Sequence, residues 1–304
     1  MRIFLCARIC FFFLLVLAAC ASPLDSTPPI IFSRDFVTPS PAPRASVAPL
    51  PTLTQNFSAT PRVVGSPAPT VPSNFKLLAH NSLDARRNNG GLAIANNCAY
   101  VGSRGGAQPI AVLDISNPTQ PTLIGRVTLA RGMDARELRA VSDLNLLVVM
   151  TIDLGANQRA ANGVHLYDIR DCRAPKFIAA FDFGDVAPHE FHLWRDPQRP
   201  ARLLAFVAMF SAARGIQVID LSDPVRPTRV VEWNYGVTIH SISISDDGTR
   251  AFIAAWDAGL LIADSSEIAE SKSNPTLRAI SHLPYANSST HSAVSIPARR
   301  LVIL

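Results

Sequence analysis

The sequence contains few of the residues and motifs that carry common enzyme chemistry. Of its 304 residues only 5 are cysteines and 7 are histidines. It has no G-x-S-x-G turn, no C-x-x-C pair, no H-E-x-x-H helix and no glycine-rich phosphate loop. The chain therefore lacks the usual sequence signatures of serine hydrolases, thiol oxidoreductases, zinc proteases and nucleotide-binding enzymes. We therefore favour a binding or interaction function over a catalytic one.

The part of the chain expected to fold has little net charge. Lys and Arg exceed Asp and Glu by five, 28 against 23. Arg2 and Arg8 contribute two of these charges and residues 20–76 contribute a net two, which leaves about one for residues 77–304. A domain that binds nucleic acid carries a strongly basic face. No nucleic-acid partner is therefore expected.

Residues 1–19 have the form of a secretory signal. Two arginines precede an apolar core at residues 10–16, which is too short for a durable membrane span. The sequence L-A-A-C at residues 17–20 resembles the lipobox of bacterial lipoproteins, in which the cysteine becomes the lipidated first residue. The resemblance implies lipidation of Cys20 and an extracytoplasmic protein anchored to the cell membrane or cell surface. The alternative is an ordinary signal peptide with a coincidental cysteine.

Residues 20–76 follow the signal as a segment of unusual composition. Residues 21–76 hold 12 prolines and 14 serines or threonines among 56 positions. Such a segment buries too little apolar surface to offset the loss of chain entropy on folding. The composition predicts a disordered tether that carries the folded part, residues 77–304, away from the membrane.

The folded part contains one sequence device four times. Each copy has an apolar run that ends in an aspartate and is followed by a polar turn with proline, as in AVLDISNPTQP from Ala111 and VIDLSDPVRP from Val218. The aspartates are Asp114, Asp168, Asp220 and Asp264, and they are 54, 52 and 44 residues apart. This period is about the length of four short strands and predicts an all-β chain of β-propeller blades.

The apolar segments divide into units of four strands each. The units cover residues 91–129, 136–183, 189–235 and 240–283, with connections short enough for antiparallel hairpins. At the end of each third strand, the aspartate side chain can accept backbone N–H groups of the turn, and proline then prevents further pairing. We interpret the four aspartates as structural turn formers, with ligand binding as the alternative. The fourth turn carries a four-residue insertion before Pro275.

The aspartate-turn pattern resembles the LVIVD repeat of secreted bacterial propeller proteins. The resemblance covers Leu77 to Leu304, about three quarters of the chain. It implies the propeller fold and says almost nothing about chemistry, because most members of that family have no assigned activity.

A fifth unit begins at residue 291 and stops within an apolar strand at Leu304. With about 4.5 blades present, the sheet edges would stay open unless another segment, for instance residues 75–79, paired with the last strand. We expect instead that the sequence is truncated and that the intact protein carries one or two further blades.

Three histidines open the first strand of successive units. They are His189, His240 and His291, at intervals of 51 residues, so they should occupy equivalent places. Units one and two have Gly91 and Arg136 there. The loops at residues 103–108, 151–163, 209–215 and 256–259 should emerge on the same face, which would then be the binding face.

Two interpretations of these histidines remain open. In the first, the three imidazoles hold a divalent metal ion or an anionic ligand at the channel mouth, with Glu190 and Asp257 nearby. A distant likeness to selenium-binding-type propellers would make such a site that of a metal-dependent oxidase. In the second, each histidine bonds to backbone and locks adjacent blades, as in WD-repeat propellers. His192 lies outside this register and is expected to be a core or surface residue.

Two cysteines remain in the region expected to fold, Cys98 and Cys172. Both should lie on the face opposite the histidines, in neighbouring blades, and an extracytoplasmic address permits a disulfide. A bridge and two free thiols are both open. The sequence as a whole predicts a lipid-anchored propeller that binds a protein or a small molecule on its loop face, with metal-dependent catalysis as the alternative and no firmly indicated cofactor.

Overall fold

The computed structural model describes residues 75–304 except residues 87, 107, 154–161 and 286–288. Within these residues the chain is almost entirely β, with eighteen strands in five antiparallel sheets. The predicted signal peptide, Cys20 and nearly all of the predicted tether lie outside the described residues. None of the helices in the described part of the chain has the length and hydropathy needed to cross a bilayer.

Four of the sheets have four strands in chain order, each strand paired with the next. The first sheet contains β1 (Asn89–Ala95), β2 (Cys98–Ser103), β3 (Ile110–Asp114) and β4 (Thr122–Val127). The second contains β5 (Met133–Val141), β6 (Leu146–Asp153), β7 (Asn162–Asp168) and β8 (Lys176–Gly184). The third contains β9 (Pro188–Arg195), β10 (Leu203–Met209), β11 (Ile216–Asp220) and β12 (Thr228–Trp233). The fourth contains β13 (Ile239–Ile244), β14 (Arg250–Ala255), β15 (Gly259–Asp264) and β16 (Arg278–Leu283), and the fifth has only β17 (Val294–Ile296) and β18 (Leu301–Ile303).

The burial of the strands follows their place in each sheet. A middle strand such as β10, with the sequence LLAFVAM, is buried at every residue, whereas half of the residues of the last strand β12 are exposed and only Val231 is buried. A strand that is buried on both faces reads as a continuous apolar run, because neither face meets water. Such strands therefore need apolar cover on both faces, which for β10 comes from the cores on either side of its sheet.

Successive sheets pack against each other through separate apolar cores. Tyr100 and Leu138 belong to the core between the first and second sheets, and Phe206 and Ile253 belong to the core between the third and fourth. A third core joins the second and third sheets. The first strands β1, β5, β9, β13 and β17 contact one another in this order. Sheets that meet along their first strands and stack face to face are propeller blades, which confirms the predicted fold class.

The four repeat aspartates form the same turn. In each case Oδ1 accepts the backbone N–H of the residue two positions later, at 2.8–3.0 Å, for Asp114, Asp168, Asp220 and Asp264. This hydrogen bond closes the turn that leaves the third strand. In the fourth sheet the predicted insertion forms a one-turn helix, α1 (Ser266–Ala269). The sequence pattern had indicated the extra residues there but no helix.

Glycine at the start of the third strand allows a close approach of two strands. Gly259 has φ +92°, and a Cβ atom on it would lie 2.2 Å from the carbonyl oxygen of Leu283 in β16. No real Cβ atom tolerates such a contact, and an L-residue is strained at this φ. Only glycine therefore lets β15 and β16 pair at this point.

A disulfide joins the first two sheets. Cys98 at the start of β2 and Cys172 in the turn after β7 are bonded, with their Cα atoms 5.9 Å apart. Beside it, Tyr100 donates a hydrogen bond to the Cys172 carbonyl at 3.2 Å, and Arg173 pairs with Asp114 at 2.6 Å. These contacts all connect neighbouring blades on the face that carries the aspartate turns.

The fifth sheet differs from what the sequence suggested. Residues 75–79 form no strand, and Phe75 and Leu77 are 73% and 62% exposed. The suggested pairing of this segment with the last strand is therefore wrong. His291 was expected to open a strand, but it precedes β17 by three residues, in irregular backbone.

Candidate functional site

The first strands of the four complete sheets contain a β-bulge at the same place. In β5, β9 and β13 the residue without a partner in the adjacent strand is Arg136, His189 and His240, respectively. In β1 the irregularity falls between Asn89 and Leu92. A bulge bends its strand and redirects side chains, and bulges are frequent beside functional sites. The bulges therefore give these side chains a different direction from the one they would have in a regular strand.

Hydrogen bonds connect these residues across three sheets. Arg136 Nη2 lies 3.2 Å from His189 Nε2, and His189 Nε2 lies 2.8 Å from His240 Nε2. His189 is 8% exposed and His240 is 3% exposed. The histidines thus bond mainly to one another and to an arginine, which differs from the backbone bonding of the blade-locking interpretation.

Aromatic rings surround the two buried imidazoles. Phe210 stacks on His189 with ring centroids 4.4 Å apart, and Trp256 stacks on His240 at 4.8 Å. The His291 ring lies 3.9 Å from the His240 ring. Phe210 and Trp256 are each the first residue after the second strand of their sheet. We call His189, Glu190, Phe210, His240, Trp256 and His291 the histidine cluster.

The structure brings together most of the predicted site residues. Glu190, His240 and His291 each offer one ligand atom, and these atoms lie within 4.8 Å of one another. His240 Nδ1 is 3.7 Å from Glu190 Oε1 and is buried without a hydrogen-bond partner of normal geometry. The predicted metal set was His189, His240 and His291. The geometry replaces His189 with Glu190.

The predicted site residue Asp257 lies apart from this group, and so does His192, which was expected to be a core or surface residue. Asp257 is exposed in the turn between β14 and β15, and within the described part of the chain no hydrogen bond or ion pair joins it to the histidines. His192 is partly buried in β9, and burial and the nearby Arg139 lower its pKa to about 4. His192 is therefore a packed residue, in line with the sequence analysis.

The electrostatic setting keeps the buried imidazoles neutral. Burial, followed by the charge of Arg136, lowers the pKa of His189 to about 3. Burial and the neighbouring His291 lower the pKa of His240 to about 4, although a backbone group of His291 opposes the shift. Burial raises the pKa of Glu190, against a hydrogen bond from Ser241. At neutral pH His189 and His240 therefore offer nitrogen lone pairs, not imidazolium charges.

Sequence reasoning missed three parts of this site. Arg136 stands where two later units have histidine, and it was counted only as a gap in the pattern. Phe210 and Trp256 lie in the loops predicted for the binding face, but their shared position after the second strand was not used. Their shared position directly after the second strand was the sequence signal that could have identified both residues.

A separate cleft lies on the opposite face. It has a volume of about 390 Å³ and is lined by turn residues that include Asp168, Arg170, Leu221 and Pro224. It contains none of the residues of the histidine cluster. Its lining combines repeat turns of the second and third sheets with the turn between β5 and β6, so we regard it as a groove between two blades.

Comparisons with known proteins support the repeat and the fold. The family model of the LVIVD repeat matches residues 87–129 and 240–280. No curated protein matches the chain. A putative 6-phosphogluconolactonase from Bacteroides uniformis ATCC 8492 is similar in structure with a TM-score of 0.52 at 11% identity, over 67% of this chain and 56% of that one. At this identity the likeness concerns the fold alone.

Two further solved structures are similar at lower scores. A functionally unknown protein from Desulfotomaculum acetoxidans DSM 771 has a TM-score of 0.48 at 13% identity, over 68% of this chain and 60% of that one. A chain of a mitotic checkpoint complex has a TM-score of 0.49 at 18% identity, over 70% of this chain and 59% of that one. The chain thus spans less than two thirds of the length of these structures.

Proposed function

The chain carries LVIVD repeats in a β-propeller, and we propose that it is a lipid-anchored, extracytoplasmic binding module whose ligand binds at the histidine cluster. The observation that supports the proposal is the cluster itself. Bulges at equivalent places in β9 and β13 bring together His189 and His240, which are 51 residues apart in sequence. A pattern that serves only blade packing has no need for an unpartnered buried nitrogen beside a partly buried carboxylate.

The size and lining of the cluster favour a small ligand. Phe210 is 42% exposed and His291 is exposed, so the group is open to solvent on one side. Stacked aromatic rings around a few polar atoms are typical of sites for small molecules or ions. A macromolecular partner would need a much wider apolar surface around the cluster.

A panel of small ligands tests this proposal. Thermal unfolding of the purified chain would be followed in the presence of sugars, organic acids, phosphate compounds and divalent metals. We expect at least one compound to raise the unfolding temperature of the wild type and to lose most of that effect in Phe210→Ala. Phe177→Ala is the matched control, because Phe177 is also an exposed phenylalanine, 57% exposed, but lies on the outer strand β8. A response lost equally in both variants, or no response at all, would contradict a small-ligand site at the cluster.

Anchoring is tested separately at Cys20. Cys20→Ser should move the protein from the membrane fraction to the soluble extracytoplasmic fraction, because lipid attachment would need the cysteine thiol. Cys10→Ser, within the same leader, should leave the protein in the membrane fraction. If Cys20→Ser stays membrane-bound, the lipid anchor is wrong while the binding proposal is unaffected.

Metal-dependent catalysis at the same cluster is a second candidate function. It is favoured by the carboxylate and two imidazoles that lie within 4.8 Å of one another. Two histidines and one carboxylate leave coordination positions open for water or substrate in several classes of metalloenzyme. A turnover assay has meaning only once a metal is shown to bind, so metal binding is the first step of that test.

A further inference from the structure

The hydrogen bonds of the histidine cluster fix the position of one proton. A guanidinium group has N–H donors and no acceptor, so Arg136 can approach His189 Nε2 at 3.2 Å only if that nitrogen carries a lone pair. That nitrogen has a single lone pair, which it shares between the two neighbours, so it is also the acceptor in its 2.8 Å contact with His240 Nε2. The proton of this contact therefore belongs to His240 Nε2.

This assignment leaves His240 Nδ1 with a lone pair. A neutral imidazole carries one N–H, and in His240 that N–H is on Nε2. Nδ1 is the buried atom without a hydrogen-bond partner, and Glu190 Oε1 lies 3.7 Å from it. Two acceptors thus face each other, the buried His240 Nδ1 and the carboxylate of the partly buried Glu190, and no hydrogen bond between described residues joins them. Such an arrangement is costly unless a cation or a proton occupies the space.

We propose that Glu190, His240 through Nδ1, and His291 bind a divalent transition-metal ion. This inference rests on the proposed function and names the ligand class of the same site. Neighbouring ligand atoms around a tetrahedral zinc ion are about 3.4 Å apart. The 3.7 Å between His240 Nδ1 and Glu190 Oε1 is close to that value, and the ligand atoms of all three residues lie within 4.8 Å of one another. The His291 side chain is exposed.

His189 and Arg136 act as positioning residues in this arrangement. His189 accepts the Nε2–H of His240, and Arg136 keeps His189 in the tautomer that can accept. A metal-binding histidine commonly donates its second N–H to such a partner, which fixes the ring and its tautomer. Loss of such a partner typically weakens metal affinity by about 10–100-fold. His189 is therefore predicted to support the metal without touching it.

The test is a titration of the full processed chain, purified in detergent and freed of metal by a chelator. Zn²⁺ binding is measured by calorimetry, and Co²⁺ binding by its visible absorption spectrum. We expect one ion per chain for the wild type and a loss of affinity of about 100-fold or more in Glu190→Gln and His240→Ala. His192→Ala is the matched control in the same strand as Glu190 and should bind like the wild type.

The positioning role has its own readout. His189→Ala should weaken Zn²⁺ binding by about 10–100-fold, and His189→Gln should recover most of it because the amide oxygen can accept the His240 N–H. Circular dichroism and the thermal midpoint check that each variant folds. Glu190→Gln keeps the inference testable even if the buried His240→Ala variant fails to fold, because Glu190 is only partly buried.

Three results would overturn the inference. They are less than about 0.1 equivalent of Zn²⁺ on the wild type, wild-type affinity in a folded Glu190→Gln or His240→Ala, and equal loss in the His192→Ala control. If Zn²⁺ fails but another compound in the ligand panel gives a stabilisation that depends on Phe210, the metal inference is wrong and the binding module stands. If neither occurs, both are wrong.

Discussion

The disulfide between Cys98 and Cys172 gives the prediction with the most definite magnitude. The bond closes a loop across a sequence separation of 74 residues and joins the first two blades. The chain-entropy relation for a loop of that length gives about 4.4 kcal/mol at 25 °C as the destabilisation expected when the bond is lost. For a folded region of this size, that change lowers the unfolding temperature by about 10 °C.

The assay compares two ways of losing the bond. One is the double variant Cys98→Ala with Cys172→Ala, and the other is the wild type in a strong reductant. Both should unfold at lower urea concentration than the oxidised wild type. The reductant should have no further effect on the double variant, since it has no bond to break. Alkylation and mass spectrometry of the protein purified without reductant should find no free thiol at either position.

Two results would refute this reasoning. The first is a pair of alkylatable thiols at positions 98 and 172 in the protein purified without reductant. The second is a wild type whose unfolding midpoint is the same with and without reductant. Either result would mean that the first two blades are held by noncovalent contacts alone, among them the apolar core around Tyr100 and Leu138 and the Arg173–Asp114 ion pair.

Two further predictions concern the blade turns. Gly259→Ala should destabilise the protein by about 1–3 kcal/mol in urea unfolding, because the new Cβ would clash with the Leu283 carbonyl. Gly236→Ala, which has φ +80° and no atom within 4 Å of the new Cβ, should cost less, and equal losses would contradict the clash. The hydroxyl and backbone N–H of Ser266, together with Arg278, lower the pKa of Asp264. Asp264 therefore stabilises the fold above its unfolded pKa of about 3.9, and this contribution is lost as the pH falls below that value towards the folded pKa. Asp264→Asn should remove that part of the acid dependence of unfolding, and unchanged acid dependence would contradict it.

Much of the fold could be predicted from the sequence because strands and turns leave local signals. The middle strands are continuous apolar runs, as in residues 203–209, and each third strand ends at an aspartate whose side chain bonds the backbone of its own turn. Both signals depend on residues close in sequence. The predicted units at residues 136–183 and 189–235 therefore agree with the observed sheets to within a few residues at each end.

The site could be predicted only in part because its geometry depends on strand register. The 51-residue spacing indicated that His189 and His240 would lie at equivalent positions. A bulge adds one residue to a strand and leaves no mark in the pattern of apolar residues, so the sequence did not reveal it. The replacement of His189 by Glu190 as a candidate ligand follows from that bulge. His291 also precedes its strand, since the short β17 begins only at Val294.

The contact between His189 and His240 is the central claim, because it requires adjacent blades, aligned bulges and one specific tautomer. Nitrogen-15 NMR of histidine-labelled protein measures it directly, and the 7 histidines can be assigned by single substitutions. The account predicts a scalar coupling across the hydrogen bond between the two Nε2 atoms and a proton on Nε2 of His240 in metal-free protein. A His240 proton on Nδ1, or no coupling between the two rings in folded protein, would contradict it.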